Sequence, residues 1–152
     1  MITNTLANQV LNLICGNGSS ISGGTAYLAL STTTPNVDGT NFTEPSSTAG
    51  YSRVLIGNYA QPLTQCMEQA SNGSTTNKKE IHFNAVEEGA SWGTLTYAGI
   101  YTAATGGTLL LAGEIGYYDD QDVWHASPIT PSDFQVVTLK VGSINFSFRE
   151  SN

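Results

Sequence analysis

Two histidines, two cysteines and a short acidic run are where this sequence could do chemistry. The histidines are His82 and His125. His82 stands between Ile81 and Phe83, so on a strand its imidazole turns away from two apolar neighbours. That is the position of a surface or subunit-contact residue, not of a general base. No serine sits in a G-x-S-x-G elbow, and neither an H-E-x-x-H pair nor a phosphate-binding glycine loop occurs. Cys15 and Cys66 are too few for a disulfide framework and show no C-x-x-C spacing, so both are expected as reduced thiols. With no nucleophile or acid–base constellation, the sequence predicts no enzyme, no catalytic residue and no cofactor.

The acidic run is Asp119, Asp120 and Asp122, with His125 close by. Oxygen ligands spaced this tightly could hold Ca²⁺. The glycine and glutamate that an EF-hand loop needs at its sixth and twelfth positions are missing, so the three are weak candidates and no metal is expected. Tyr117, Tyr118 and Trp124 are interleaved with them. Aromatic residues among acidic ones predict an exposed loop with aromatic anchors, the kind that protein contacts use. Tyr117, Tyr118, Trp124 and His125 are therefore candidates for a partner contact. Exposed Trp and Tyr beside Asp and Asn could also serve a carbohydrate. Elsewhere Glu87-Glu88-Gly89 and Asp38-Gly39 read as solvated turns, and Trp92, just ahead of a strand, as a packing residue.

The elements that must position these residues are mostly strands. One helix is predicted within residues 1–16. Leu6, Val10, Leu13 and Ile14 fall at i, i+4, i+7 and i+8, with Ile2 on the same side, and make a core-facing stripe. Thr3, Asn4 or Thr5 can cap its start, and Gly16 ends it. The opposite face carries Asn8, Gln9 and Asn12, polar but uncharged. It could sit against another protein, so Asn8 and Asn12 join the contact candidates. Beyond Gly24 the period changes. Thr25 to Ser31 is a compact apolar run that fits a strand buried on both faces. Further strands are predicted at 51–56, 80–83, 94–101, 108–115, 134–141 and 144–148, with turns at Gly57-Asn58, Gly106-Gly107 and Gly142-Ser143. Residues 67–79 read as a polar connection and 116–131 as a loop or irregular excursion. About seven strands with Gly, Pro and Asn turns and one helix predict an all-β, jelly-roll-like β-sandwich with a short N-terminal α-helix. It forms one domain, 1–152, with the helix in 1–16 and the sandwich in 25–148.

Composition narrows the function. Only 11% of the 152 residues are charged, against about 25% in an ordinary soluble domain. Ser, Thr, Asn and Gly make up about two-fifths of the chain. Five Lys and Arg against twelve Asp and Glu, a net charge of −7, cannot build a large basic face, so no nucleic acid is expected as partner. The uncharged stretches are broken by Thr, Ser and Gly, so no membrane span is expected. The start, Met1-Ile2-Thr3-Asn4, lacks a basic n-region and an apolar h-region, which predicts cytoplasmic synthesis without a secretory signal. The four Asn-x-Ser/Thr sequons, at Asn17, Asn41, Asn72 and Asn145, are then unused.

Two blocks go beyond composition. The first runs Tyr27-Leu28-Ala29-Leu30-Ser31-Thr32-Thr33, then Pro35, Asp38-Gly39, Glu44-Pro45, Gly50-Tyr51 and Arg53. The second runs Glu80-Ile81, Phe83, Ala85, then Trp92-Gly93-Thr94-Leu95-Thr96-Tyr97-Ala98-Gly99-Ile100-Tyr101, Ala103-Ala104-Thr105-Gly106-Gly107 and Leu109-Leu110. With the N-terminal helix, they resemble a widespread family of small tailed-bacteriophage structural proteins, labelled tail-fibre-like, minor structural or head-decoration proteins. The resemblance covers roughly Leu6 to Phe148. Between Gly116 and Thr130 the chain departs from it, inserting the Tyr/Asp/Trp/His segment where a short link is expected. The resemblance implies a virion component and supplies no catalytic residues.

The function expected from the sequence is a non-enzymatic virion structural protein, made in the bacterial host cytoplasm. The first choice is a capsid decoration or cement protein that oligomerises on the shell, its partners being copies of itself as dimer or trimer and the major capsid protein or another virion protein. The alternatives are a tail-fibre or head-fibre component, and, from another class, a host-glycan-binding module. Arg53 is expected to pair with an acidic loop residue such as Glu44.

Overall fold

The run expected as a doubly buried strand is the centre of the fold. The computed structural model describes residues 1–18 and 24–147. In chain order the elements are α1 (Asn4–Ile14), β1 (Thr25–Ser31), β2 (Val54–Asn58), β3 (Ser74–Thr76), β4 (Ile81–Ala85), β5 (Tyr97–Tyr101), β6 (Leu109–Glu114), β7 (Gly116–Tyr118), β8 (Trp124–Ala126), β9 (Val136–Leu139) and β10 (Asn145–Ser147). Single 3₁₀ turns lie at Ser47–Ala49 and Pro62–Thr64. The chain is all-β with one short N-terminal helix, as the sequence predicts.

β1 lies inside a four-stranded antiparallel sheet of order β2-β1-β5-β6. Leu28, Ala29, Leu30 and Ser31 are buried in succession, so both faces of this strand are covered. Leu28 and Leu30 enter the main core with Ile56 of β2 and Ile100 of β5. Facing them is a second layer, β4 paired with β9, which contributes Ile81, Phe83 and Val137. Trp92, 2% exposed, packs edge-on against Tyr51 and Phe83 in the same core. Its indole N–H donates to the Ala49 carbonyl at 2.7 Å. Ala29 turns the other way, into a smaller cluster with Tyr101, Leu109 and Ala112. Phe42, from the loop after β1, closes that side edge-on to Tyr101.

β5 and β6 form the predicted hairpin, Tyr97 opposite Glu114 and Tyr101 opposite Leu109. Gly106 and Gly107 sit at φ 60° and 71°, a conformation that only glycine adopts without cost. A side chain on Gly107 would meet Thr102 and Ala103. The β6 edge of the large sheet is occupied. Residues 1–3 lie antiparallel along β6: the Met1 amine donates to the Ala112 carbonyl, the Ala112 N–H to the Met1 carbonyl, and the Thr3 N–H to the Leu110 carbonyl. At the β2 edge, the Cys66 N–H donates to the Ile56 carbonyl at 2.7 Å. No helix among the described residues is long and apolar enough to cross a membrane.

The structure differs from the sequence reading in five places. The turn expected at Gly57-Asn58 is strand instead, because β2 runs Val54–Asn58 and pairs Gly57 with Ala26 and Asn58 with Thr25 of β1. The polar connection 67–79 contains β3, entered through a tight turn with Asn72 and Gly73 at positive φ. The strands at the C-terminal end do not pair with each other. β9 pairs with β4, and β10 with β3, because each completes a different layer; the predicted end of the last strand, Phe148, lies outside the described residues. The segment 116–131, read as irregular, contains the β7–β8 hairpin. The predicted core stripe of the helix holds only at Leu6, while Leu13 and Ile14 are exposed.

Candidate functional site

The residues singled out as contact candidates at 117–125 come together on one element. β6 ends at Glu114, and the Ile115 N–H still donates to the Thr96 carbonyl at 2.8 Å. There the chain leaves the large sheet and turns back on itself. Gly116 opposes Ala126, Tyr117 opposes His125, and Tyr118 opposes Trp124. Opposed residues of an antiparallel pair share a face and successive residues alternate, so each face of this ribbon carries one ring pair. Tyr117 and His125 stack, centroids 5.4 Å apart, on one face. Tyr118 and Trp124 meet edge-on at 5.1 Å on the other. Tyr117, Tyr118 and Trp124 are 56%, 63% and 39% exposed. These are large apolar surfaces held in fixed geometry and open to solvent.

Asp119 organises the tip. Its Oδ1 accepts from the backbone N–H groups of Gln121 and Val123, both at 2.9 Å. Its Oδ2 meets Nε2 of His125 at 2.8 Å. The Asp119 N–H bonds the Val123 carbonyl, and Asp122 takes φ 61° to close the turn. The His125 hydrogen bond, and then the Val123 and Gln121 N–H groups, hold the Asp119 carboxyl below its ordinary pKa. Trp124 is anchored in turn, its indole N–H donating to Oε2 of Glu114 at 2.8 Å. Its ring lies over Gly116, where a Cβ would run into the indole and the His125 carbonyl. A glycine is required there by this close approach.

The three candidate metal ligands do not converge. Both Asp119 oxygens are committed to the loop and to His125, and no group of three or more His, Cys, Asp or Glu is gathered around a common point among the described residues. Asp119 and His125 form a carboxylate–imidazole pair, but among the described residues no hydroxyl or thiol hydrogen-bonds the ring. The pair braces the loop. His82 lies exposed on the outer face of β4, against Thr138 at 3.0 Å and Glu80 at 3.5 Å. Asn8 and Asn12 are exposed on α1, away from the hairpin.

The expected partner of Arg53 is the one found. Its guanidinium forks onto Glu44 at 2.9 and 2.6 Å and donates to the carbonyls of Ala103 and Gly106. It also lies 3.5 Å over the Tyr101 ring. The Tyr51 hydroxyl donates to Glu44 and accepts from the Leu30 N–H; burial pushes its pKa up. This network ties the loop before β2 to the turn between β5 and β6. It is structural. Sequence reasoning missed Glu114 and Gly116 as parts of the hairpin. Their only signal is position, Glu114 near the end of a predicted strand and Gly116 directly after it, ten and eight residues before Trp124.

Residues 1–118 match the family described as Podophage GP4 fiber I protein gp80. The match ends at the last residue of β7. No curated protein matches the chain.

Proposed function

The chain belongs to the podophage GP4 fiber I protein gp80 family, and we propose on that premise that it is a non-enzymatic fibre component of a phage virion. A virion structural role follows from the family itself. The match supports the fibre alternative over the capsid decoration that composition and resemblance put first. A neutral polar surface suits broad shell contacts, and it suits contacts within a fibre equally well.

The family match is the observation that carries this reading, and copy number tests it. Quantitative mass spectrometry of purified particles should find a few to a few tens of copies per virion, with antibody label at the tail or at single projections. Hundreds of copies spread over the shell would overturn it.

Within that fibre, the β7–β8 hairpin is the contact element. Its rings are exposed yet braced, so they lose little freedom on binding. Trp124→Ala should leave the far-ultraviolet circular dichroism unchanged. Loss of adsorption with normal incorporation identifies a host-surface contact. Loss of incorporation identifies a contact with another virion protein. Particles with normal incorporation and normal adsorption would sink the assignment.

A further inference from the structure

Trp124 sits in a setting that this chain builds twice, once with a cation of its own. That one lies around Arg53. There the Tyr101 ring is flanked edge-on by Phe42, and a guanidinium lies 3.5 Å over the ring while it forks onto the Glu44 carboxylate. At the hairpin the Trp124 ring is flanked edge-on by Tyr118, and the Glu114 carboxylate takes the indole N–H. The two ring pairs have similar geometry, with centroids 5.4 and 5.1 Å apart and planes at 75° and 62°. The difference is the cation. Among the described residues Glu114 pairs with no Lys or Arg, and its Oε1 makes no hydrogen bond.

The surroundings favour a cation from outside the chain. Residues 80–139 hold eight Asp and Glu and no Lys or Arg. Asp120 and Asp122, exposed at the tip of the hairpin, make no side-chain hydrogen bond among the described residues. An anion is repelled here, and an uncharged ligand gains nothing from that field. The ring adds its own attraction. Indole binds a cation best of the aromatic side chains, and an N–H bonded to a carboxylate pushes further electron density into its face. That face is accessible, since Trp124 lies over Gly116 and is still 39% exposed. Of the two basic side chains, arginine suits the setting better. Its planar guanidinium can stack on the indole while one N–H reaches Oε1, whereas an ammonium is a compact and strongly hydrated point charge.

We propose that the Tyr118–Trp124 face of the hairpin seats an arginine side chain of a partner protein, stacked on the indole and paired with Glu114. This rests on the reading of the hairpin as the contact element and names the chemistry of what it contacts.

Hexa-arginine peptide and its uncharged counterpart hexa-citrulline test it on the purified full-length chain, by calorimetry at low salt. Hexa-arginine should bind and shift the Trp124 indole N–H resonance, which Trp124→Phe identifies. Hexa-citrulline should not bind, and hexa-lysine should bind about tenfold more weakly. Glu114→Gln, whose amide oxygen can still accept from the indole, should weaken hexa-arginine about tenfold. Glu87→Gln with Glu88→Gln removes two charges elsewhere and should change the affinity less than about twofold. Should Glu114→Gln disturb the hairpin, Trp124→Leu keeps an apolar side chain without the ring and should weaken binding as much. Absence of hexa-arginine binding would overturn the proposal. So would equal binding of hexa-lysine or hexa-citrulline, equal losses in the two glutamine variants, or a Trp124 shift produced by maltohexaose and not by the peptide. If the peptide fails while Trp124→Ala particles still lose adsorption or incorporation, the arginine seat falls and the contact element stands.

Discussion

Arg53 shows how much one side chain can hold when its geometry is complete. Its side chain is 7% exposed, and its donors are spent on Glu44 and two carbonyls. Arg53→Ala should cost roughly 3 kcal/mol, because it leaves the partly buried Glu44 with no cation and only the Tyr51 hydroxyl as donor, and those carbonyls without theirs. Urea unfolding with an unchanged slope checks it. Arg53→Lys should recover only part, since an ammonium cannot reproduce the fork. Trp92→Ala, deleting a core ring, should cost about 3–5 kcal/mol by the same measurement. The Glu44–Arg53 pair, the burial of Trp92 and the outward face of His82 were legible in the sequence, because each depends on charge, bulk or alternation along the local chain. The Tyr51 hydroxyl was not. It accepts from the Leu30 N–H at a point where β2, which pairs with β1 only as far as Leu28, has already ended. That need appears only once the sheet is assembled.

The elements divide in the same way. β1, β5 and β6 were readable from apolar runs bounded by glycine turns. β7 and β8 were not, because three residues each of polar and aromatic type carry no usable period. What makes them strands is Asp119 closing the tip and Gly116 admitting the Trp124 ring. Asp119 titrates below its ordinary value, so its carboxylate form is favoured by the fold. The bracing it gives is fully present above the unfolded aspartate value of about 3.9 and is lost as pH falls through the lower folded value. Amide chemical shifts of Gln121 and Val123 should follow that transition, and Asp119→Asn should abolish it. Gly116→Ala should displace the indole, seen as a fluorescence change that is absent when Trp124→Phe is also present. Helix α1 was located correctly but its surroundings were not. Periodicity shows that one face is apolar and is silent about whether that face meets its own chain or another.

At the scale of the whole molecule, the low charge has a layout. The acidic residues gather in loops such as 119–122 and 87–88, and the first 37 residues have none. The β6 edge of the large sheet is covered by residues 1–3. Deleting Met1 to Thr3 should uncover a row of unpaired backbone groups and produce aggregation by light scattering, since a bare edge invites strand addition. The same pairing sets how the molecule bears load. Helix α1 departs from the Leu110 end of β6, and the hairpin departs from the Ile115 end. Tension applied between them pulls residues 1–3 and β6 past each other along their length. Hydrogen bonds at Met1, Thr3, Leu110 and Ala112 then resist together, in shear, instead of opening one by one as a zipper does. A subunit drawn between those two points is gripped along its strands, the direction in which a sheet yields last.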